Sequence, residues 1–275
     1  MIKRILVGLG AESTGGATIQ CALALAQRHQ ARLTAATIVD VDRLGRVGAM
    51  PLGGSGAAQE LREHRLAEAH LASEHLIAEF KAACTAAGVD HIVHQDDGHP
   101  IELMIAYARY HDLVVCSLQG LFSHGVVDEP HDEFIQLVTS GVRPIVVVPA
   151  EFRPVQRVLL TYSGSIESAK AIKRFVQLLP WAPAALRVVT FQRPPEEAAT
   201  MLEEVTDYCR VHGLTVEVDA PADSPREHLL PYAAKWNADL IVMGGSVRRL
   251  LLRKLMGDTV LHALQHADRT LFLCQ

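Results

Sequence analysis

Short, continuous apolar runs alternate along this chain with longer stretches whose apolar residues recur every three or four positions. That is the pattern of parallel strands separated by amphipathic helices. Ile5-Leu6-Val7, Leu113-Val114-Val115 and Ile145-Val146-Val147-Val148 do not alternate with polar residues, as strands covered on both faces require. Within residues 1–150 the pattern predicts strands near 3–9, 32–40, 90–95, 112–117 and 143–149. Helices are predicted near 14–30, 59–87, 99–110 and 131–141. The helix over 59–87 is long, and Leu61, Leu66, Leu71, Leu76, Ile77 and Phe80 are its expected buried side. From residue 151 on, strands fall near 157–162, 186–191, 214–219, 239–244 and 269–274, with helices near 165–179, 196–212, 225–237 and 255–267. Ser165, and Ser13 or Thr14, are expected N-caps of the first helix in each series.

The two series repeat one another. Ile5-Leu6-Val7-Gly8 answers to Val158-Leu159-Leu160-Thr161, 153 residues on. His111-Asp112-Leu113-Val114-Val115 answers to Ala238-Asp239-Leu240-Ile241-Val242, and Arg143-Pro144-Ile145 to Arg269-Thr270-Leu271, at offsets of 127 and 126. The shortfall of about 26 residues places an insertion in the first copy, at residues 44–58, LGRVGAMPLGGSGAA, and in the longer helix after it. Five glycines there argue for a mobile loop. The expected architecture is therefore α/β, two tandem doubly wound parallel-sheet domains over 1–150 and 151–275, joined by the stretch AEFRPVQ at 150–156.

In an open parallel sheet the ligand crevice lies beyond the carboxyl ends of the strands, where the strand order reverses. In the second copy, strand four ends in Val242-Met243-Gly244-Gly245-Ser246-Val247, nine residues follow, and Gly257-Asp258-Thr259 opens the last helix. Together with ILVGLGAES at the start, the HDLVV and ADLIV strand entries and the closing RPIVVV and RTLFLC, this arrangement resembles the universal stress protein family over nearly the whole chain, twice over. The resemblance implies the family's adenine nucleotide alpha hydrolase-like fold. In its nucleotide-binding members the loop after strand four and the start of the last helix hold ATP phosphates. Carried onto this sequence, it makes Ser163, Gly244, Ser246, Arg248, Gly257, Asp258 and Thr259 the expected ligand-contacting residues.

The match is incomplete at the phosphates. Val247 stands where the second glycine of the family's G-x-x-G belongs, and its side chain hinders close backbone approach. Asp258 replaces a hydroxyl residue, and a carboxylate facing a phosphate a few ångströms away opposes it by roughly 1–4 kcal/mol. Ser163 occupies the place of an Asp that recognises the nucleoside. The cluster Arg248, Arg249, Arg253 and Lys254 favours an anionic ligand, against the alternative of a solvated helical surface. In the first copy Gly120 survives, but Ser117, Pro130 and Gly10 replace family residues, and Asp128, Glu129, Asp132 and Glu133 bracket the triphosphate position.

Composition narrows the remaining chemistry. The net charge is −5, with 11 Lys/Arg against 17 Asp/Glu in residues 1–150 and 15 against 14 thereafter. With only 5% aromatic residues, nucleic-acid binding is not expected. No apolar run approaches the length of a membrane span and no secretory signal is evident, which predicts a cytoplasmic protein. Five widely spaced cysteines suggest buried thiols rather than disulfides or a zinc ribbon. Ten of the 14 histidines fall in the first copy, where His124, Asp128 and His131 have a spacing that offers a metal two imidazoles and a carboxylate. Walker A, G-x-G-x-x-G and G-x-S-x-G motifs are all missing. Two functional readings follow. In the first, a tandem universal stress protein without efficient turnover and with no required cofactor acts as a stress-linked binding or regulatory protein toward a protein partner or small ligand, with loop 44–58 as its moving part. In the second, ATP or AMP binds, and is slowly hydrolysed, in the second domain alone. The last apolar strand of each copy is expected to meet its counterpart, forming an internal pseudo-dimer, and two such chains can make a homodimer.

Overall fold

Continuous apolar runs become fully buried strands in the computed structural model, which describes residues 1–10, 15–44, 55–118, 136–138, 140, 144–183, 185–245, 247–250, 253–256 and 258–275. The first half contains β1 (Arg4–Gly8), α1 (Gly15–His29), β2 (Arg32–Val39), α2 (Val41–Leu44), α3 (Ser55–Ala87), β3 (His91–Asp97), α4 (Pro100–Ala108), β4 (Leu113–Ser117) and β5 (Ile145–Val148). The second contains β6 (Arg157–Thr161), α5 (Ile166–Leu178), β7 (Ala185–Val189), α6 (Pro195–Val211), β8 (Glu217–Asp219), α7 (Pro225–Lys235), β9 (Leu240–Gly244), β10 (Val247–Leu250), β11 (Arg253–Met256), α8 (Asp258–His266) and β12 (Thr270–Cys274).

All strands but β10 and β11 join one ten-stranded sheet in the order β3-β2-β1-β4-β5-β12-β9-β6-β7-β8. Within each half of this sheet every pairing is parallel, as in β1 with β2 and β4, and β6 with β7 and β9. The strand order thus reverses beside β1 in one half and β6 in the other, the doubly wound arrangement the sequence predicts. The halves meet through β5 and β12, which pair antiparallel with Val146 opposite Phe272 and Ile145 opposite Leu273. Alternate residues of each strand face opposite helical layers. Val7, Val115 and Leu160 pack with α1, α3, α5 and α6 on one face, while Leu6, Val114 and Leu159 pack with α4, α7 and α8 on the other.

The repeated Asp before strand four has a structural explanation. Asp112 accepts the backbone N–H groups of Lys3 at 2.7 Å and Arg4 at 3.0 Å, and Asp239 accepts those of Gln156 at 3.0 Å and Arg157 at 2.9 Å. In both copies one carboxylate therefore satisfies two donors where the chain enters its central strand. A second pair repeats as well. Tyr107 donates to Asp96 at 2.5 Å, and Tyr232 donates to Asp219 at 2.6 Å.

Two sequence expectations need correction. Leu61 and Leu71 are 41% and 66% exposed rather than buried, although Leu76, Ile77 and Phe80 do pack into the core. At 33 residues α3 runs about 50 Å, roughly twice the length of the eight-residue β2 beneath it. Its first turns therefore overshoot the sheet, and the helix next packs against the short α2 and the last residue of β2, through Val39, Leu44 and Ala69. Helix α2 itself was not foreseen. Most of the predicted mobile loop, 45–54, and the predicted caps Ser13 and Thr14 lie outside the described residues. No helix among the described residues is long and apolar enough to cross a membrane.

His111 illustrates how the fold places a titratable group. Its Nδ1–H donates to the Tyr107 carbonyl at 2.6 Å, which leaves Nε2 to accept the buried Thr34 hydroxyl at 2.9 Å. Burial holds it below its ordinary value near 6.5, and Arg4 and His94 add to this while the Tyr107 carbonyl and Asp112 oppose it. The folded state thus resists a proton that the unfolded state accepts. Stability should be complete above about pH 6.5 and fall as the pH is lowered beneath it, by at most about 1.4 kcal/mol per pH unit for this one group. His29, also depressed by burial, adds to the fall. Urea unfolding at pH 7.5 and 5.5 checks this: His111→Gln should flatten the loss, and an unchanged slope would contradict the assignment.

Candidate functional site

A cavity of about 510 Å3 opens at the carboxyl ends of β6, β7 and β9, in the second half. Its position is where the crevice of a doubly wound sheet belongs, and its size is that of a small-molecule site. Its rim on the β6 side is Ser163-Gly164-Ser165. Gly164 takes φ +76°, and a Cβ there would meet Met201 Cε at 2.9 Å, so only glycine turns the chain comfortably into α5. Ser165 caps that helix as the sequence predicts, accepting the Ser168 N–H at 3.2 Å.

Three hydroxyls converge at this turn. Ser163 Oγ lies 3.0 Å from Ser165 Oγ and 3.2 Å from Ser168 Oγ, and the Ser168 hydroxyl donates to the Ser165 carbonyl at 2.8 Å. Arg193, on the loop after β7, closes the rim by donating to the Ser163 carbonyl at 2.8 Å and to Glu197 at 3.0 Å. Across the cavity stand Asp258 and Thr259, which begin α8, while Val189, Phe191, Leu229, Met243 and Val260 supply an apolar wall. No histidine lines the cavity among the described residues. The arrangement sets hydroxyl and guanidinium hydrogen-bonding groups opposite an apolar wall.

Gly244 lines the same cavity, but its lack of a side chain serves packing. A Cβ there would lie 2.5 Å from Glu167 C and Ser168 N and 2.6 Å from Glu167 O, all main-chain atoms. The N-terminal turn of α5 thus rests directly on the end of β9.

Of the residues expected at the ligand, Ser163, Gly244, Asp258 and Thr259 come together around the cavity. Ser246 and Gly257 lie outside the described residues. Arg248 sits not on a helix but in β10, whose backbone pairs antiparallel with β11 and sets Arg248 opposite Leu255 and Arg249 opposite Lys254. The alternative of a helical surface is therefore corrected to a two-stranded hairpin. The consecutive Gly244-Gly245 break regular structure ahead of it, and the predicted helix begins only at Asp258. Sequence reasoning missed Arg193, Ser168 and Phe191. The signal available was position: Phe191 to Arg193 follow β7 directly, so inspecting every strand end would have found them.

The metal reading rests on His124, Asp128 and His131, which lie outside the described residues, as do the acidic residues around them. Among the described residues no group of three histidine, cysteine or acidic side chains is arranged to hold a metal ion. Several other histidines have local partners. His64 lies 3.2 Å from Glu68, His70 3.7 Å from Asp97 and His99 3.6 Å from Asp42, while His94 stacks on Tyr107 with centroids 4.5 Å apart.

Strand order, the crevice at the reversal point and the helix starts around it define a doubly wound α/β protein. The family model described as "Universal stress protein family" matches residues 1–125 and 192–274, and the chain belongs to that family, with two copies in tandem. Among solved structures, a universal stress protein from Archaeoglobus fulgidus is similar over 99% of this chain and 98% of its own, at 15% identity and a TM-score of 0.69. A functionally unknown protein from Pseudomonas aeruginosa is similar over 99% of this chain and 92% of its own, at 16% identity and a TM-score of 0.58. Both are likenesses of fold. No curated protein matches the sequence.

The packing of Gly244 yields a direct test. Gly244→Ala should destabilise the protein by about 2 kcal/mol or more, since the clash is with backbone that has no rotamer to change, and should lower the thermal midpoint by several degrees. An unshifted midpoint would show that α5 does not rest on β9 as described.

Proposed function

We propose that this chain is a non-catalytic, stress-linked binding protein whose second half takes a nucleoside or nucleoside monophosphate such as AMP, and does not hold a triphosphate. We take 1–150 and 151–275 as its two repeat units. The observation that carries the reading is Asp258. Its carboxylate stands on the cavity wall at the helix start where the family's phosphate position falls, so each phosphate added toward it meets increasing repulsion. The hydroxyls of Ser163 and Ser165 suit a ribose, Arg193 suits a single phosphate, and the wall of Phe191, Leu229 and Met243 suits a base. Volume agrees with this, since about 510 Å3 accommodates a ligand of that size. No histidine is among the described residues of the wall, which favours binding over turnover. The five cysteines are buried thiols, which fits a reducing compartment such as the cytoplasm. Ligand occupancy is then communicated through the surface around α8 and the β10–β11 hairpin to a protein partner.

Competition against labelled AMP tests this. ATP should displace AMP at least tenfold more weakly than AMP itself, and Asp258→Asn should narrow that gap severalfold. Leu229→Trp, which fills the cavity, should abolish AMP binding. Failure of the native protein to bind AMP, or displacement by ATP at lower concentration than AMP, would overturn the reading.

A further inference from the structure

A second cavity, of about 740 Å3, lies where the first half meets α5 of the second, next to that crevice: Cys274 in its wall pairs with Gly244 in the wall of the first. The first half contributes Arg109 and His111 from the turn between α4 and β4. The second contributes Lys170, Lys173 and Arg174, and the end of β12 is also part of the wall. On α5, Lys173 and Arg174 lie three and four residues beyond Lys170, so both neighbour it on one side of the helix. Arg109, Lys170 and Lys173 are exposed and Arg174 is half-buried.

Two features separate this cleft from an ordinary solvated surface. Among the described residues, none of the four cations takes part in an ion pair or a hydrogen bond, and no acidic side chain lines the cleft. The one acidic residue of α5, Glu167, stands in its first turn, three residues before Lys170, with its backbone against Gly244, and does not line the cleft. Four uncompensated positive charges on a concave wall focus a positive potential into the space between them. Among the described residues the lining contains no Phe, Tyr or Trp, and His111 is its one ring. What it mainly offers is charge and hydrogen-bond donors, the complement of phosphate oxygens. Its volume suits a compact ligand rather than an extended strand of nucleic acid.

We propose that this cleft between the two halves is a binding site for a compact polyphosphate anion, held by Arg109 from one half and Lys170, Lys173 and Arg174 from the other. The anion bridges the halves, so the site exists only because the two copies are in one sheet. It does not depend on the AMP pocket.

Isothermal titration with inorganic tripolyphosphate at low salt tests the proposal. The native chain should bind it saturably, with one anion per chain, and saturating AMP should leave that binding unchanged. Lys170→Gln/Lys173→Gln/Arg174→Gln should weaken it at least tenfold, and Arg109→Gln about threefold, with far-ultraviolet dichroism and thermal midpoint confirming that each variant is folded. Arg62→Gln/Arg65→Gln/Lys81→Gln makes the same change in net charge on α3 and should have little effect. Displacement of tripolyphosphate by ATP would assign the phosphate chain of a nucleotide as a ligand, and no displacement would assign the free inorganic anion; either result supports a polyphosphate site. Absence of saturable binding, equal weakening by the α3 variant, or loss of binding in saturating AMP would overturn it.

Discussion

Strands β5 and β12 are both short, wholly buried apolar runs, and each would be the bare edge of its half-sheet if the two were not hydrogen-bonded to one another. An exposed edge of Ile145-Val146-Val147-Val148 would pair with any other chain that met it. The repeat supplies its own remedy. The same strand of each copy meets its counterpart across an approximate twofold axis, so the pairing is necessarily antiparallel, as Val146 opposite Phe272 shows. Phe272 then packs edge-on against Phe175 of α5, with centroids 5.6 Å apart, and ties the joint to the helical layer above it.

Geometry downstream follows from that joint. Because β5 and β12 run in opposite directions, the carboxyl ends of the two parallel half-sheets point to opposite ends of the molecule, and their crevices are kept apart. For the same reason the end of β12 lies beside the beginning of β4 and β5. That brings α5, with its row of cations, next to Arg109 and His111. The 510 Å3 crevice depends on a different contact, the seating of α5 on Gly244. One helix thus carries a ligand-facing turn at its N-terminus and a positively charged face farther along.

The fold was largely legible in the sequence because its strands are uninterrupted apolar runs and its copies repeat in register. The hairpin of β10 and β11 was not legible: Val247 to Met256 mixes apolar and charged residues without a clear period, and charge clusters read equally well as a solvated helix. Helix α3 misled for the opposite reason. Its leucines keep coming after the sheet beneath has ended, and periodicity reports a face without reporting whether anything lies opposite it. At the site, Ser163, Gly244, Asp258 and Thr259 line one cavity, and the contact of α5 with Gly244 is a packing reason for that glycine which the sequence did not reveal. Arg193 and Phe191 were missed because they belong to a strand end that no motif marks. The polyphosphate cleft was beyond reach, since its cations are separated by more than 60 residues in sequence and only the joined sheet brings them together.

The most direct test of the whole account is native-state amide hydrogen exchange, comparing β5 and β12 with the central strands β1 and β6 and with the outer strands β3 and β8. If the halves are one continuous sheet, the amides of 145–148 and 270–274 exchange only through global unfolding, as slowly as those of β1 and β6. Exchange at those segments as fast as in β3 and β8 would mean that each half ends in an open edge, and the account would fail.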